Sequence, residues 1–231
     1  MNFDTWEPVY ERILADFGYD RAGDERARDV LGVILESTAT YEPRALGIEG
    51  QTVAVVGAGP SVEDEADRAA DADIVVAAST AADRLRAVGV RVDCMVTDLD
   101  KNAETGAELT RSGTPVLVHA HGDNVPAVEA FVPTYDPAFV VPTTQAAPTD
   151  AVHDFGGFTD GDRAAFFADH FGADGLVFVG WDFDDPSVDP EKRQKLRWAE
   201  RLLYWLERRR GERFAILDGR RDGIDPIDGP D

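Results

Sequence analysis

The sequence holds a single cysteine, Cys94, among 231 residues. One thiol closes no internal disulfide and supplies no zinc-ribbon set of ligands. Lysine is almost as scarce: Lys101, Lys192 and Lys195 are the whole complement, and arginine carries the rest of the 23 positive charges. No apolar run approaches the roughly 18 residues that span a bilayer. The opening MNFDTWEPVYERILADFG has neither a basic n-region nor an apolar h-region, so no signal peptide is expected and a cytoplasmic protein is the default. General disorder is excluded as well, because 43% of the chain is hydrophobic and 9% aromatic. There is room for one large domain or two small ones.

What the chain has in excess is acid. Its 45 carboxylates against 23 cations leave a formal charge of −22. Such a chain repels nucleic acid and anionic membranes, so neither is expected as a partner. The acids are spread along the whole length, and this low-lysine composition resembles that of proteins from salt-in halophiles. An acidic surface for a basic partner is the competing explanation.

Apolar spacing over Phe3, Trp6, Val9, Tyr10, Ile13, Leu14 and Phe17 predicts a first helix, with Gly18 as its stop. A second is expected from about Asp24 to Ser37. From Thr52 the texture changes to short apolar runs at 53–56, 74–78, 94–97, 116–120, 139–141, 176–180 and 214–217. Strands buried on both faces and alternating with helices predict a largely parallel α/β sheet flanked by helices. A long helix follows Pro190. The expected organisation is an N-terminal helical segment at 1–50 packed on the core, an α/β domain at 51–217, and a loose acidic tail at 218–231.

Four segments carry candidate chemistry. VAVVGAGPSVED leads from a strand towards a helix; Gly57 and Gly59 allow close backbone approach, and Ser61 is a candidate cap. A helix reached through such a turn is an anion site, although Val62 replaces the third glycine of the dinucleotide fingerprint. A tight turn with a serine cap is the plainer reading. In VDCMVTDLDKN, Asp98 and Asp100 follow a buried strand at the carboxyl edge of the expected sheet, where α/β proteins bind ligands. Two hard carboxylates there suit Mg²⁺; an Asp-rich turn in an Asp-rich chain is the alternative. VLVHAHGDN places His119, His121, Asp123 and Asn124 after another strand, as transition-metal ligands or as a polar loop facing substrate. GGFTDGDRA opens a helix, with Thr159 and Asp162 spaced as a capping box and Asp160 beside them. His153 and His170 are expected to be structural or superficial. Lys192, Arg193 and Lys195 form the lysine-containing basic cluster, either a solvated face or a phosphate contact.

Taken in order, VGAGPS, VTDLD, HAHGDN, GFTDGDRA, GWDF and KRQKLRWAERLLYWL resemble the archaeal 6-hydroxymethyl-7,8-dihydropterin pyrophosphokinases of the MptE type, over about residues 1–217. More distantly, Asp98 with Asp100, Thr159-Asp160, and Gly172-Ala173-Asp174 leading to Gly180 resemble thiamine pyrophosphokinases, whose small β-sandwich domain is not expected to have a counterpart here. The resemblance implies a Rossmann-like, thiamine-pyrophosphokinase-like fold and a Mg²⁺-dependent transfer of diphosphate from ATP to a reduced pterin alcohol, giving AMP. The product would feed folate or methanopterin synthesis.

Carried onto this chain, the resemblance makes Asp98, Asp100 and Asp160 the metal carboxylates. Gly57, Gly59, Ser61, Asn124, Thr159, Lys192 and Lys195 become contacts to nucleotide or substrate. His119, His121 and Asp123 join Asp98 and Asp100 as catalytic candidates that orient substrate or assist proton removal. An oligomer is compatible with all of this. Two alternatives stand beside it: a domain related to nonulosonate glycosyltransferases, and a non-catalytic nucleotide-binding module.

Overall fold

A computed structural model describes residues 1–122 and 124–227. Among them the sheet has six strands: β1 (Thr52–Val56), β2 (Ile74–Ala78), β3 (Cys94–Thr97), β4 (Val116–Ala120), β5 (Val140–Thr144) and β6 (Gly175–Val179). All pairings are parallel, in the order β5-β4-β3-β2-β1-β6. The chain therefore steps outward from β1 to β5 and returns to lay β6 on the other side of β1. That reversal creates a crevice outside the carboxyl ends of β1 and β6, the place where such sheets bind ligands.

The strands are apolar on both faces because both faces are covered. Val53, Val55, Val76, Val96 and Phe178 point into a core with α1 (Phe3–Phe17), α7 (Asp160–His170) and α8 (Pro190–Arg210). Their alternating neighbours Ala54, Val56, Val75, Met95 and Val118 point into a second core. That one is closed by α2 (Arg21–Leu35), α3 (Ala66–Ala70), α4 (Ala81–Ala87), α5 (Ala103–Arg111) and α6 (Val125–Phe131). The period-two switch between cores is the β pleat itself. Large aromatics fill the first core: Trp6, Tyr10, Phe166 and Phe167 are each at most 1% exposed. α1 is capped by the Asn2 side chain and stopped by Gly18 at φ 68°, as its spacing predicts.

Two expectations are corrected. The apolar run at 214–217 forms no strand; Ala215–Leu217 is a 3-10 turn, and Phe214 and Leu217 are buried in the first core, which includes residues of α8. The segment after Leu217 is not loose as far as it is described. Arg221 pairs with buried Glu207, and Ile224 and Ile227 are buried in the first core. An apolar pair spaced by three residues is enough to tie an acidic tail down.

Candidate active site

A cleft of about 800 Å³ opens at the carboxyl ends of the strands. Its walls include the glycine turn after β1, Ser79, Asp98, Asp100, His121, the start of α7, Trp181 and the first turns of α8. The N-terminal segment reaches it as well, through Tyr19 in the link between α1 and α2 and Asp24 on α2. Lys101, Lys192 and Lys195 all line it, so every lysine in the chain is at this one place.

Asp98 and Asp100 sit on a tight turn built by their own side chains. Leu99 N–H donates to Thr97 Oγ1 at 2.9 Å and Asp100 N–H to Asp98 Oδ1 at 3.2 Å. Leu99 between them has φ 68°, and Ser79 at the end of β2 has φ 49°. Non-glycine residues held there are strained, and two such positions end adjacent strands at the cleft. Burial opposes ionisation of Asp98, but the His121 side chain, 3.6 Å away, and the Arg163 charge hold it far below the usual carboxylate range. Asp100 is pushed up, by burial and then by the Asp98 charge.

Asp160 is 11% exposed and bonds Arg163 Nη1 at 3.0 Å. Burial first, and then the charge of Asp98, push it up to about 8. Arg163 also donates to Gln145 Oε1 at 3.2 Å, and Gln145 Nε2 donates to Asp24 Oδ2 at 2.8 Å. Asp24 accepts in addition from Tyr10 Oη at 2.7 Å and from Gly122 N–H at 2.7 Å. A polar chain thus runs from the N-terminal helices under the cleft to the start of α7.

These positions fit a divalent cation at Asp98 and Asp100. The ionisation of Asp100, which burial and the Asp98 charge oppose, would be relieved by one, and Mg²⁺ usually takes one or two carboxylates and completes its shell with water and phosphate oxygens. Among the described residues no group of three His, Cys, Asp or Glu side chains converges on a single point. Asp160 shares the cleft and its electrostatics with the pair, and its carboxylate is held by Arg163.

Several sequence candidates take other roles. Gly57 N–H donates to Val179 O at 2.9 Å and Gly59 N–H to Gly180 O at 2.7 Å, so neither amide is offered to an anion. Their lack of a side chain serves packing: a Cβ on Gly59 would lie 2.6 Å from Gly180 O, and one on Gly57 2.8 Å from it. Ser61 caps no helix; its hydroxyl donates to Glu65 Oε1 at 2.5 Å and it lies outside the cleft wall. Asn124 is buried and stitches two strand ends together, donating to Asp98 O at 2.8 Å and His119 O at 2.7 Å. His119 is buried below the cleft, whereas His121 lines it. Asp123 lies outside the described residues.

Thr159 begins α7 as the capping spacing predicts; Asp162 Oδ1 accepts from its N–H at 2.6 Å and from Phe158 N–H at 2.7 Å. Lys192 has no ion-pair partner among the described residues and stands within electrostatic range of Asp100, Asp160 and Asp162. Lys195 pairs with Glu191 at 3.0 Å. His153 and His170 pack against Phe155, away from the cleft.

Sequence reasoning missed Asp24, Arg84, Lys101 and Trp181. Arg84 donates to the carbonyls of Ala58, Gly59 and Pro60, clamping the glycine turn from outside. Trp181 donates to Val55 O at 3.0 Å and packs its ring on Gly161, where a Cβ would lie 2.7 Å away. Of these, Lys101 carried a usable signal in its rarity, one residue from the Asp pair, and Trp181 in its place within the GWDF block.

The family model described as 6-hydroxymethylpterin diphosphokinase MptE-like matches residues 35–187. A protein of Methanothermobacter thermautotrophicus is 38% identical over 225 residues, covering 90% of this chain and 96% of its own. One of Pyrococcus furiosus is 37% identical over 223 residues, covering 90% and 95%. One of Methanocaldococcus jannaschii is 32% identical over 232 residues, covering 90% and 96%. Each is named 6-hydroxymethyl-7,8-dihydropterin pyrophosphokinase. The family model stops short of α8 and begins at the last residue of α2, yet both helices line the cleft, and the relatives match almost the whole chain. The chain belongs to the MptE-like 6-hydroxymethylpterin diphosphokinase family.

Proposed function

We propose that this protein transfers the terminal diphosphate of ATP to the hydroxymethyl oxygen of 6-hydroxymethyl-7,8-dihydropterin, with Mg²⁺ held by Asp98 and Asp100. The observation that carries the reading is the pairing of a two-carboxylate turn with all three lysines of a lysine-poor chain in one cleft.

The pterin CH₂–OH oxygen attacks the β-phosphorus, the bond from that phosphorus to the oxygen bridging it to the α-phosphorus breaks, and AMP leaves with the bridging oxygen. The hydroxyl proton passes to His121, which lines the cleft and is oriented by Asp98 at 3.6 Å. The bound metal supplies charge neutralisation on the phosphates. Lys192 and Lys195 supply further positive charge along the polyphosphate, and Lys101 does the same from the β3 side. Phosphoryl-type transfer asks chiefly for positioning and electrostatic stabilisation, which these fixed groups provide. His119, being buried, takes no part in proton transfer.

The test is an assay with Mg²⁺, ATP and the reduced pterin alcohol. AMP and pterin diphosphate in equal amounts are expected. Stoichiometric ADP, or no turnover at any salt concentration, overturns the proposal. The folate or methanopterin destination follows from which pterin route the host runs, and cell extracts supplied with the labelled product would report it.

A further inference from the structure

Below the cleft, His119 and Arg163 have complementary unmet needs. His119 is 2% exposed and its Nδ1 lies 3.1 Å from Thr143 Oγ1, which in turn lies 3.1 Å from Val118 O. A threonine hydroxyl has one proton and a backbone carbonyl has none. Thr143 therefore donates to Val118 O, and its oxygen can only accept from the ring. Burial, and the neighbouring Arg163 charge, keep the imidazole neutral. His119 is thus the Nδ1–H tautomer, and its Nε2 is a bare acceptor.

That Nε2 is buried and makes no hydrogen bond within 3.5 Å, the Gln145 amide being its polar neighbour, and Nε of Arg163, a donor, is likewise buried without a bond among the described residues. The other Arg163 nitrogens are engaged, Nη1 with Asp160 at 3.0 Å and Nη2 with Gln145 at 3.2 Å. Both residues line one cavity of about 10 Å³, with Thr143 and Thr144 beside them and Val96 and Leu117 as its apolar wall. That volume holds about one water, and a water needs two or more polar partners.

We propose that a single water occupies this cavity, accepting from Arg163 Nε–H and donating to His119 Nε2, and that His119 is a positioning residue for the guanidinium that grips Asp160. The water completes the third side of Arg163. Its guanidinium plane is then fixed at all three nitrogens, and with it the Asp160 carboxylate in the cleft wall. The effect on turnover rests on the pterin kinase reading of the cleft; the tautomer and the water do not.

The first experiment is long-range ¹⁵N–¹H correlation NMR on the full chain, with His119 assigned by the loss of its signals in His119→Gln. A protonated Nδ1 and a pyridine-type Nε2 are expected; an Nε2–H tautomer or an imidazolium overturns the proposal. A crystal structure should show an ordered water between the two side chains. A dry cavity, or a direct bond from the second Gln145 amide proton to His119, overturns it equally. In kinetics, His119→Gln keeps an acceptor on a similar stem and should retain kcat within about threefold, whereas His119→Leu should lose about tenfold at unchanged KM. Equal losses in both, or none in His119→Leu, remove the positioning role. Should His119→Leu fail to fold, Thr143→Val takes its place: it deletes the Nδ1 partner and should mix the tautomers in the same spectrum. Inactivity of the wild-type protein on Mg²⁺, ATP and the pterin would instead strike the proposed function and leave the spectrum to decide this inference.

Discussion

Replacing Arg84 with methionine keeps most of the aliphatic stem and removes the guanidinium that clamps the glycine turn. Nη1 donates to Ala58 O at 3.0 Å and to Gly59 O at 2.8 Å, and Nη2 to Pro60 O at 3.2 Å. Bonds from a charged donor contribute about 1.5 kcal/mol each when dry. The side chain is 28% exposed, so water replaces part of what is lost. A net cost of about 2 kcal/mol follows, which for a domain of this size is about 4–8 °C in Tm. The exposed pairing with Glu63 adds nothing that needs counting.

The turn would not collapse, because the Gly57 and Gly59 amides remain tied to Val179 O and Gly180 O. It would loosen at residues 58–60, on the wall shared with the lysines. Thermal melts and steady-state kinetics on Arg84→Met should therefore show the Tm loss together with a several-fold rise in KM for ATP and little change in KM for the pterin. Arg84→Lys, with one compact cation for a fork of donors, should fall between. A full Tm loss with an unchanged KM for ATP would show that the turn does not face the nucleotide. No change in either quantity would refute the clamp itself.

The remaining expectations are narrower. Asp98→Asn should abolish turnover or raise the Mg²⁺ requirement while the melting curve persists; Asp160→Asn, on a carboxylate held by Arg163, should lower kcat less, and equal effects would place both in the metal shell. Lys192→Met should raise KM for ATP several-fold with Tm unchanged within about 1 °C, since it has no ion-pair partner to lose among the described residues. Between 0.1 and 1 M KCl the Debye length falls from about 10 to about 3 Å, so a chain of formal charge −22 should melt higher at the upper end; a flat or falling Tm would remove the halophile reading. Glu207→Gln, which weakens the pair between buried Glu207 and partly exposed Arg221, should cost about 2 kcal/mol at neutral pH. Burial opposes ionisation of Glu207, but Arg221 and the Phe214 amide hold it below its ordinary range. A depressed folded value gives stability that is present above the unfolded pKa of about 4.3 and is lost below it. The gap between wild type and variant should close as pH falls from 5 towards 3; a constant gap would contradict the pairing.

The sheet was legible because burial on both faces leaves short apolar runs spaced by helical segments. Ile74–Ala78 and Val116–Ala120 coincide with their runs residue for residue. The run at 214–217 misled because an apolar tetrapeptide buries equally well in a turn against a helix, and periodicity cannot tell the two apart. The Asp98–Asp100 turn was legible from its place after a strand. The glycines were found with two readings open, a tight turn or an approach to a ligand, and their close approach serves Gly180. Asn124 had the opposite fate, a polar residue at the right edge whose hydrogen-bonding capacity is spent on the backbone of its neighbours. Asp24 could not be read at all. It is one carboxylate among many on an amphipathic helix, and only the tertiary fold brings it to Gly122, Tyr10 and Gln145.

On the proposed function, the division of labour between the two basic residue types accounts for how so acidic a protein would hold a polyphosphate. Arginines here make fixed forks: Arg84 on three carbonyls, Arg163 on Asp160 and Gln145, Arg210 on Asp169 and Ala173 O, Arg221 on Glu207. Planar, always charged and preorganised, they suit permanent partners. The lysines are all at the cleft, and Lys192 is left without a fork to fill. A compact ammonium with rotatable donors can follow charge as it shifts from one phosphate to the next, which a guanidinium locked in a plane does less well. Yet the same wall carries Asp20, Asp182, Asp185, Asp189 and Glu191 besides the Asp98–Asp100 pair. Three lysines, with Arg26 and Arg163 on the same wall, do not outweigh those carboxylates, so a bare triphosphate would be repelled. Only a polyphosphate that arrives with its own divalent cation meets two acceptors on one side and ammonium groups on the other. If the proposed polyphosphate substrate is right, the charge of the cleft alone predicts that turnover needs a divalent cation.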